Sequence, residues 1–145
     1  MIRFVKNQDY EEWKKLYLQY GEFYQVPMTH EELSRVWTWL HDSSHEMEAL
    51  VYEKTGRIVG LAHVRRMVNP LRACDIGFLD DLFVDPAERG QRLGEALIEE
   101  LVKIAISKGW PKIRWITADD NYRARTLYDH VAQKTMWNTY EILVE

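Results

Sequence analysis

The stretch ERGQRLGEAL, residues 88–97, places Gly90 and Gly94 among two arginines just where a helix is about to begin. A strand ending at Val84, a short glycine-bearing loop and a helix form a physical recipe for an anion site. The amides of a first helical turn have no partner within the helix, and the helix dipole favours negative charge beside them. Arg89 and Arg92 add positive charge, and glycine lets a backbone approach a phosphate closely. Alone, the pattern fits an ordinary helix start equally well.

Other chemically able residues are Asp80 and Asp81, side by side on the preceding strand. Alternation along a strand is expected to send them to opposite faces, one toward a cleft and one away from it. His41 and His45 are four apart, a spacing that can place two ligands on one helix face. However, HEMEA lacks the second histidine of a zinc HExxH motif, and Asp42-Ser43-Ser44 reads as a helix end, so no metal is expected. Cys74 is the single cysteine, which excludes an intramolecular disulfide and any multi-cysteine metal site. As a nucleophile it would need a base, and nothing in the sequence brings His63 to it.

The elements that position these groups follow from hydrophobic periodicity. MIRFVK alternates as a short strand. Asn7 or Asp9 can cap a helix whose Trp13, Leu16, Tyr17, Tyr20 and Tyr24 share one face, with Pro27 ending it. Thr29 and Glu32 form a capping box for a second helix carrying Leu33, Val36, Trp37 and Leu40. MEALVYEK and RIVGLAHVRRMV are two strand-like runs joined at Thr55-Gly56, and DIGFLDDLFV is a third, closed by Asp85-Pro86. After the glycine loop, Leu93, Leu97, Leu101, Ile104 and Ala105 form a helical stripe that Gly109 and Pro111 stop. KIRWITA is a strand, NYRARTLYDHVAQ a helix and TMWNTYEILV a final strand. The order is β-α-α-β-β-β-α-β-α-β, an α/β fold with a mixed, mainly antiparallel sheet and helices on both faces.

At 145 residues the chain reads as one domain, 1–145, able to bury about two thirds of its unfolded surface. With 46% hydrophobic and 29% charged residues it is an ordinary globular composition. The net charge of −4 argues against broad nucleic-acid binding, which needs a basic face. No apolar run approaches a membrane span, and the N-terminus lacks a signal core. With the lone cysteine, this points to the cytoplasm.

FLDDLFVDPAERGQRLGEALIEEL and WITADDNYRARTLYDHVA together resemble the GNAT family of acetyl-CoA dependent N-acetyltransferases. That family's loop reads Arg or Gln, two residues, Gly, one residue, then Gly or Ala. Arg89, Arg92 and Gly94 occupy those places, so Arg92 departs from the pattern. Asn121, Ala124, Leu127 and Tyr128 match the family's N-x-x-A-x-x-L-Y run. In motif the chain is most similar to the diamine and polyamine acetyltransferase branch, which shares a strand like LDDLFV. The resemblance covers residues 75–135 well.

The resemblance implies a GNAT acyltransferase fold, acetyl-CoA as cosubstrate and a small amine as acceptor. Leu82, Phe83 and Val84 would pair with the pantetheine arm. The loop of Arg89, Gly90, Gln91, Arg92, Leu93, Gly94 and Glu95 would wrap the pyrophosphate, with Asn121 also on the cofactor side. Tyr128 would protonate the leaving thiolate, and Asp80, ahead of Asp81, would take the amine's proton directly or through water. Tyr24 and Trp37 are candidates for contact with the acceptor amine. The rival readings are a non-catalytic CoA-binding module and a protein lysine or N-terminal acetyltransferase. Where relatives carry Gly-Phe before the last strand this chain has Ala132-Gln133, and the apolar edge YEILV suggests a homodimer. Arginine keeps its amide at position 92, and a right-handed, helix-entering backbone is expected there, because a left-handed one would cost about 1 kcal/mol or more.

Overall fold

A computed structural model describes residues 1–144. The elements are β1 (Ile2–Phe4), α1 (Tyr10–Phe23), α2 (His30–His41), β2 (Met47–Lys54), β3 (Arg57–Asn69), β4 (Cys74–Val84), α3 (Leu93–Lys108), β5 (Ile113–Arg114) and α4 (Tyr122–Val131). The strands form one sheet in the order β1-β2-β3-β4-β5. All neighbours are antiparallel except β4 and β5, which run parallel through the α3 crossover.

Successive strand residues feed the two faces. Leu61 joins Trp13 and Leu16 of α1, Val36 of α2, Val51 and Phe83 on one side. Ala62, the next residue, joins Leu97, Leu101 and Ala105 of α3 on the other, with Leu50, Val64 and Leu79. The four-residue spacing of Leu97, Leu101 and Ala105 makes one helical stripe, which explains why α3 lies flat on the sheet. Each large side chain so buried contributes about 1.5–3 kcal/mol.

The turn signals act where the sequence places them. Thr55 and Gly56 are both left-handed, at φ 50° and 78°, as a two-residue hairpin turn requires. The Glu32 amide donates to Thr29 Oγ1 at 3.1 Å while the Thr29 amide donates to Glu32 Oε1 at 2.9 Å, closing the capping box. Gly109 ends α3 at φ 75° and sends Trp110 back onto β4. A Cβ at Gly77 would lie 2.8 Å from the Trp110 ring, so only glycine lets β5 dock at that point.

Three expectations are corrected. First, α1 ends at Phe23, before Pro27, because the Val26 amide closes a turn onto the Gly21 carbonyl at 2.8 Å, with Gln25 at φ 58°. Second, Asp80 and Asp81 do not face opposite sides. The β3–β4 register steps from His63↔Asp81 to Val64↔Leu79, leaving Asp80 as an extra, unopposed residue. This bulge suspends alternation. His63 and Arg65, two apart on β3 and therefore on one face, contact Asp81 and Asp80 respectively. Third, TMWNTYEILV forms no strand up to residue 144. A strand exists only by pairing, and within this chain no sheet edge meets that segment.

Candidate active site

β5 pairs with β4 only at Gly77–Ile113 and Phe78–Arg114. Beyond Phe78 the two chains diverge, and the β5-side edge of β4 from Leu79 to Val84 has no strand partner. A cleft of about 330 Å³ opens at this split. Leu82, Phe83 and Val84 form one wall, the Arg89–Glu95 loop one end, and Asn121, Leu127 and Tyr128 the wall opposite. The main-chain groups along an unpaired strand edge suit an extended, amide-bearing ligand.

The loop is fixed from below. The Asp85 carboxylate accepts from the Ala87 amide at 3.0 Å, and Lys54 Nζ donates to Glu88 Oε2 and to Gln91 Oε1, both at 2.7 Å. Gln91 therefore spends its side chain on anchoring the loop to β2 and does not line the cleft. Gly90 is left-handed at φ 85°, with open space where a Cβ would be. The first α3 bond runs from the Ala96 amide to the Arg92 carbonyl at 3.1 Å, leaving the Leu93, Gly94 and Glu95 amides without intrahelical partners.

Arg92 adopts φ 60° and ψ 29°, so its expected right-handed conformation is wrong. The chain turns into α3 through a left-handed residue at the N-cap, directly after the Gly90 turn, and the non-glycine side chain bears that strain. The Arg92 guanidinium is exposed and reaches Glu95 at 3.2 Å. Arg89 lies deeper, its guanidinium 5.8 Å from the Phe23 ring and 5.6 Å from the Phe83 ring. Burial and, second, the charge of Arg123 lower its pKa. Two cations and a row of free amides at one end of the cleft form a cradle that an anion relieves.

Tyr128 stands on α4 with its ring edge-on to Trp115, centroids 5.3 Å apart. Burial, helped by Tyr24, pushes its phenol up to about 12, so it holds its proton at neutral pH. Asn121 caps α4 and donates from Nδ2 to the Tyr24 hydroxyl at 3.0 Å, tying α4 to α1 across the cleft. Tyr24 thus lines the site, whereas Trp37 packs 4.9 Å from Trp13 and 5.0 Å from Tyr10, away from the cleft lining.

Asp80 does not line the cleft. Its carboxylate accepts from Arg65 Nε at 2.8 Å, and burial raises its pKa against the opposing pull of Arg65. Asp81 is held differently. His63 Nδ1 donates to its Oδ2 at 2.7 Å and the Tyr17 hydroxyl at 2.9 Å. His63 is wholly buried, and Trp13 Nε1 donates to its Nε2 at 3.0 Å. An indole nitrogen can only donate, which fixes the imidazole proton on Nδ1, facing Asp81. Burial works to raise Asp81, but His63, Tyr17 and Tyr20 outweigh it and hold the carboxyl below its ordinary value. The sequence carried no signal for this network, because a lone strand histidine reads as core. Cys74 pairs with Asn69 at the far end of the same ladder from the His63–Asp81 pair, so the two never meet. His41 and His45 are exposed at the end of α2.

An open strand edge running into an amide cradle suits an extended ligand that ends in phosphate. Residues 10–132 match the acetyltransferase (GNAT) family. The chain belongs to that family, whose members use acetyl-CoA as cosubstrate, and it is an acyltransferase. It is 28% identical over 137 residues to the D-amino-acid N-acetyltransferase of Saccharomyces cerevisiae, covering 93% of this chain and 85% of that protein. A 51-residue stretch, 35% of this chain and 30% of the relative, is 37% identical to the thialysine N-epsilon-acetyltransferase of Bos taurus. In fold it is similar to a ribosomal-protein-alanine N-acetyltransferase of Brucella melitensis, with a TM-score of 0.84, 23% identity and 99% and 98% of the two chains covered.

Proposed function

We propose that this protein transfers the acetyl group of acetyl-CoA to the primary amine of a small free acceptor by direct attack. What carries the reading is the meeting, in one cleft, of the unpaired β4 edge, the Arg89–Glu95 cradle and the Tyr128 hydroxyl. The β4 main chain aligns the pantetheine arm, and its backbone amides polarise the thioester carbonyl. Gly90, Leu93, Gly94 and Glu95 hold the pyrophosphate, with Arg89 and Arg92 supplying charge. As the C–N bond forms and the C–S bond breaks, Tyr128 gives its proton to the departing thiolate and recovers one from solvent. The proton lost by the amine passes to Asp80, through water, since Asp80 lies outside the cleft lining.

The two neighbouring carboxyls divide the work. Asp80, raised by burial, suits proton acceptance; Asp81, held ionised, suits attraction of a cationic amine. Arg65 holds Asp80 through Nε, which leaves its terminal nitrogens for a carboxylate. An anion and a cation on one face of the sheet favour an amino-acid acceptor. The long match to a D-amino-acid acetyltransferase supports this over the diamine branch, since the thialysine relatives match only 35% of the chain. The test is thiol release across amino acids of both hands, diamines and a basic peptide. Turnover highest with free amino acids is expected; turnover on the peptide alone would sink the small-acceptor reading. A homodimer belongs to the same reading.

A further inference from the structure

We propose that the Tyr24 hydroxyl is a second hydrogen-bond donor to the departing thiolate, reaching it from the α1 side of the cleft while Tyr128 reaches it from α4. This role rests on the acetyl-transfer reading above. As the C–S bond breaks, the electron pair stays on sulfur and the Tyr128 proton moves to it. Tyr24 keeps its own proton and holds the developing charge by a hydrogen bond alone.

The backbone delivers Tyr24 to this place. α1 ends in a tight turn in which the Tyr24 amide donates to the Tyr20 carbonyl at 3.2 Å and the Val26 amide to the Gly21 carbonyl at 2.8 Å. A Cβ at Gly21 would lie 2.6 Å from the Val26 carbonyl oxygen, so glycine alone permits this closure. The Tyr24 ring is then held edge-on to two neighbours, its centroid 4.9 Å from Tyr20 and 5.0 Å from Phe23. Tyr24 and Tyr128 line the same cleft. A long side chain on a helix leans toward the helix N-terminus, so Tyr128 reaches back toward Asn121, to which the Tyr24 hydroxyl is bound. The two phenols are near enough for charge on Tyr24 to bear on Tyr128.

Asn121 decides which way the Tyr24 proton points. Its Oδ1 accepts from the Ala124 amide, at 3.5 Å, as the cap of α4. A main-chain amide can only donate, so the Asn121 oxygen faces Ala124 and the nitrogen faces Tyr24. Nδ2 donates to the Tyr24 oxygen at 3.0 Å. Tyr24 is the acceptor in that bond, which leaves its own proton for another partner. Among the described residues no protein group takes it.

Sulfur is the acceptor that fits. In the proposed complex the thioester carbonyl faces the β4 amides, and the attacking amine has its one lone pair aimed at carbon. The sulfur becomes a charged acceptor only as the bond to carbon breaks, and a hydrogen bond to a charged group is about twice as strong as a neutral one. A bond that strengthens toward the transition state raises kcat rather than affinity.

The test is Tyr24→Phe, which keeps the ring and removes only the hydroxyl. The thiol of bound coenzyme A is titrated by the ultraviolet absorbance of its thiolate, with desulfo-coenzyme A as the blank. In the variant this thiol is expected to titrate about one pH unit higher than in the wild type. Turnover should fall roughly tenfold, with desulfo-coenzyme A affinity and the KM for acetyl-CoA held within about twofold. A Tyr24 that only braces the cleft would weaken desulfo-coenzyme A binding and leave the thiol titration where it was. An unchanged titration, or a fall in desulfo-coenzyme A affinity as large as the fall in turnover, would overturn the inference and leave the acetyl-transfer reading standing. A wild type that binds no coenzyme A would overturn both.

Discussion

Arg92 holds a left-handed backbone that costs any residue but glycine about 1–2 kcal/mol. Glycine there loses roughly 0.5–1 kcal/mol in chain entropy, so Arg92→Gly is expected to raise stability by about 0.5–1 kcal/mol, read as a higher urea midpoint. A midpoint at or below wild type would mean that the Arg92 side chain offsets its own strain. Tyr128→Phe removes the proposed proton donor while keeping the ring against Trp115. Turnover should fall by about 10²–10⁴-fold, with acetyl-CoA affinity changed little; undiminished turnover would remove Tyr128 from the acid role. Asp81→Asn is expected to raise KM for the amine more than it lowers kcat, because it removes charge that attracts the acceptor. Steady-state kinetics with an unchanged KM would show Asp81 to be structural. The positions of the loop before α3 and of Tyr128 on α4 were legible because they rest on spacing along the chain. The His63–Asp81–Tyr17 network was not, because it joins three elements through side chains 18 and 64 positions apart.

At the level of elements, the caps and turns were readable because each is a local contract between neighbouring residues, as at Thr29, Thr55-Gly56 and Gly109. The β4 bulge was invisible, since alternation describes a strand only while its register holds, and the extra residue at Asp80 is set by pairing with β3. The position of β5 depends on Gly77 and Trp110 together. Gly77→Ala would press a methyl against the Trp110 ring and cost about 1–3 kcal/mol, visible as a lowered denaturation midpoint; an unchanged midpoint would show that the ring yields freely. The first turn carries a pH signal. Asp9 is buried, and Arg3, which donates to both its oxygens at 2.8 and 2.9 Å, is the main cause of its lowered pKa. A carboxyl depressed in the folded state stabilises above its unfolded pKa, about 3.9, and loses that contribution as pH falls through the lower folded value. Stability should therefore drop on acidification below about pH 4, and Asp9→Asn should flatten that part of the profile. An equally steep acid limb in the variant would place the linkage elsewhere.

The whole molecule is a sheet split at one seam, with α1 and α2 on one face and α3 on the other, and the cleft at the seam. That layout was foreseeable from the order of elements. The last segment was not, because a strand-like composition does not by itself supply the sheet edge that a strand must pair with. Among the described residues no helix is long and apolar enough to cross a membrane, and no group of three or more His, Cys, Asp or Glu side chains is placed to hold a metal. The proposed reaction is acetyl transfer to a free amine by direct attack, and it can be followed in a single assay. Purified protein is mixed with acetyl-CoA and an amino acid, and thiol release is followed while the product is weighed by mass spectrometry. Amine-dependent thiol release matched one for one by N-acetyl product, with no acetylated protein, is expected. Coenzyme A binding without amine-dependent release, or an acetyl group lodged on the protein before the amine arrives, would contradict it.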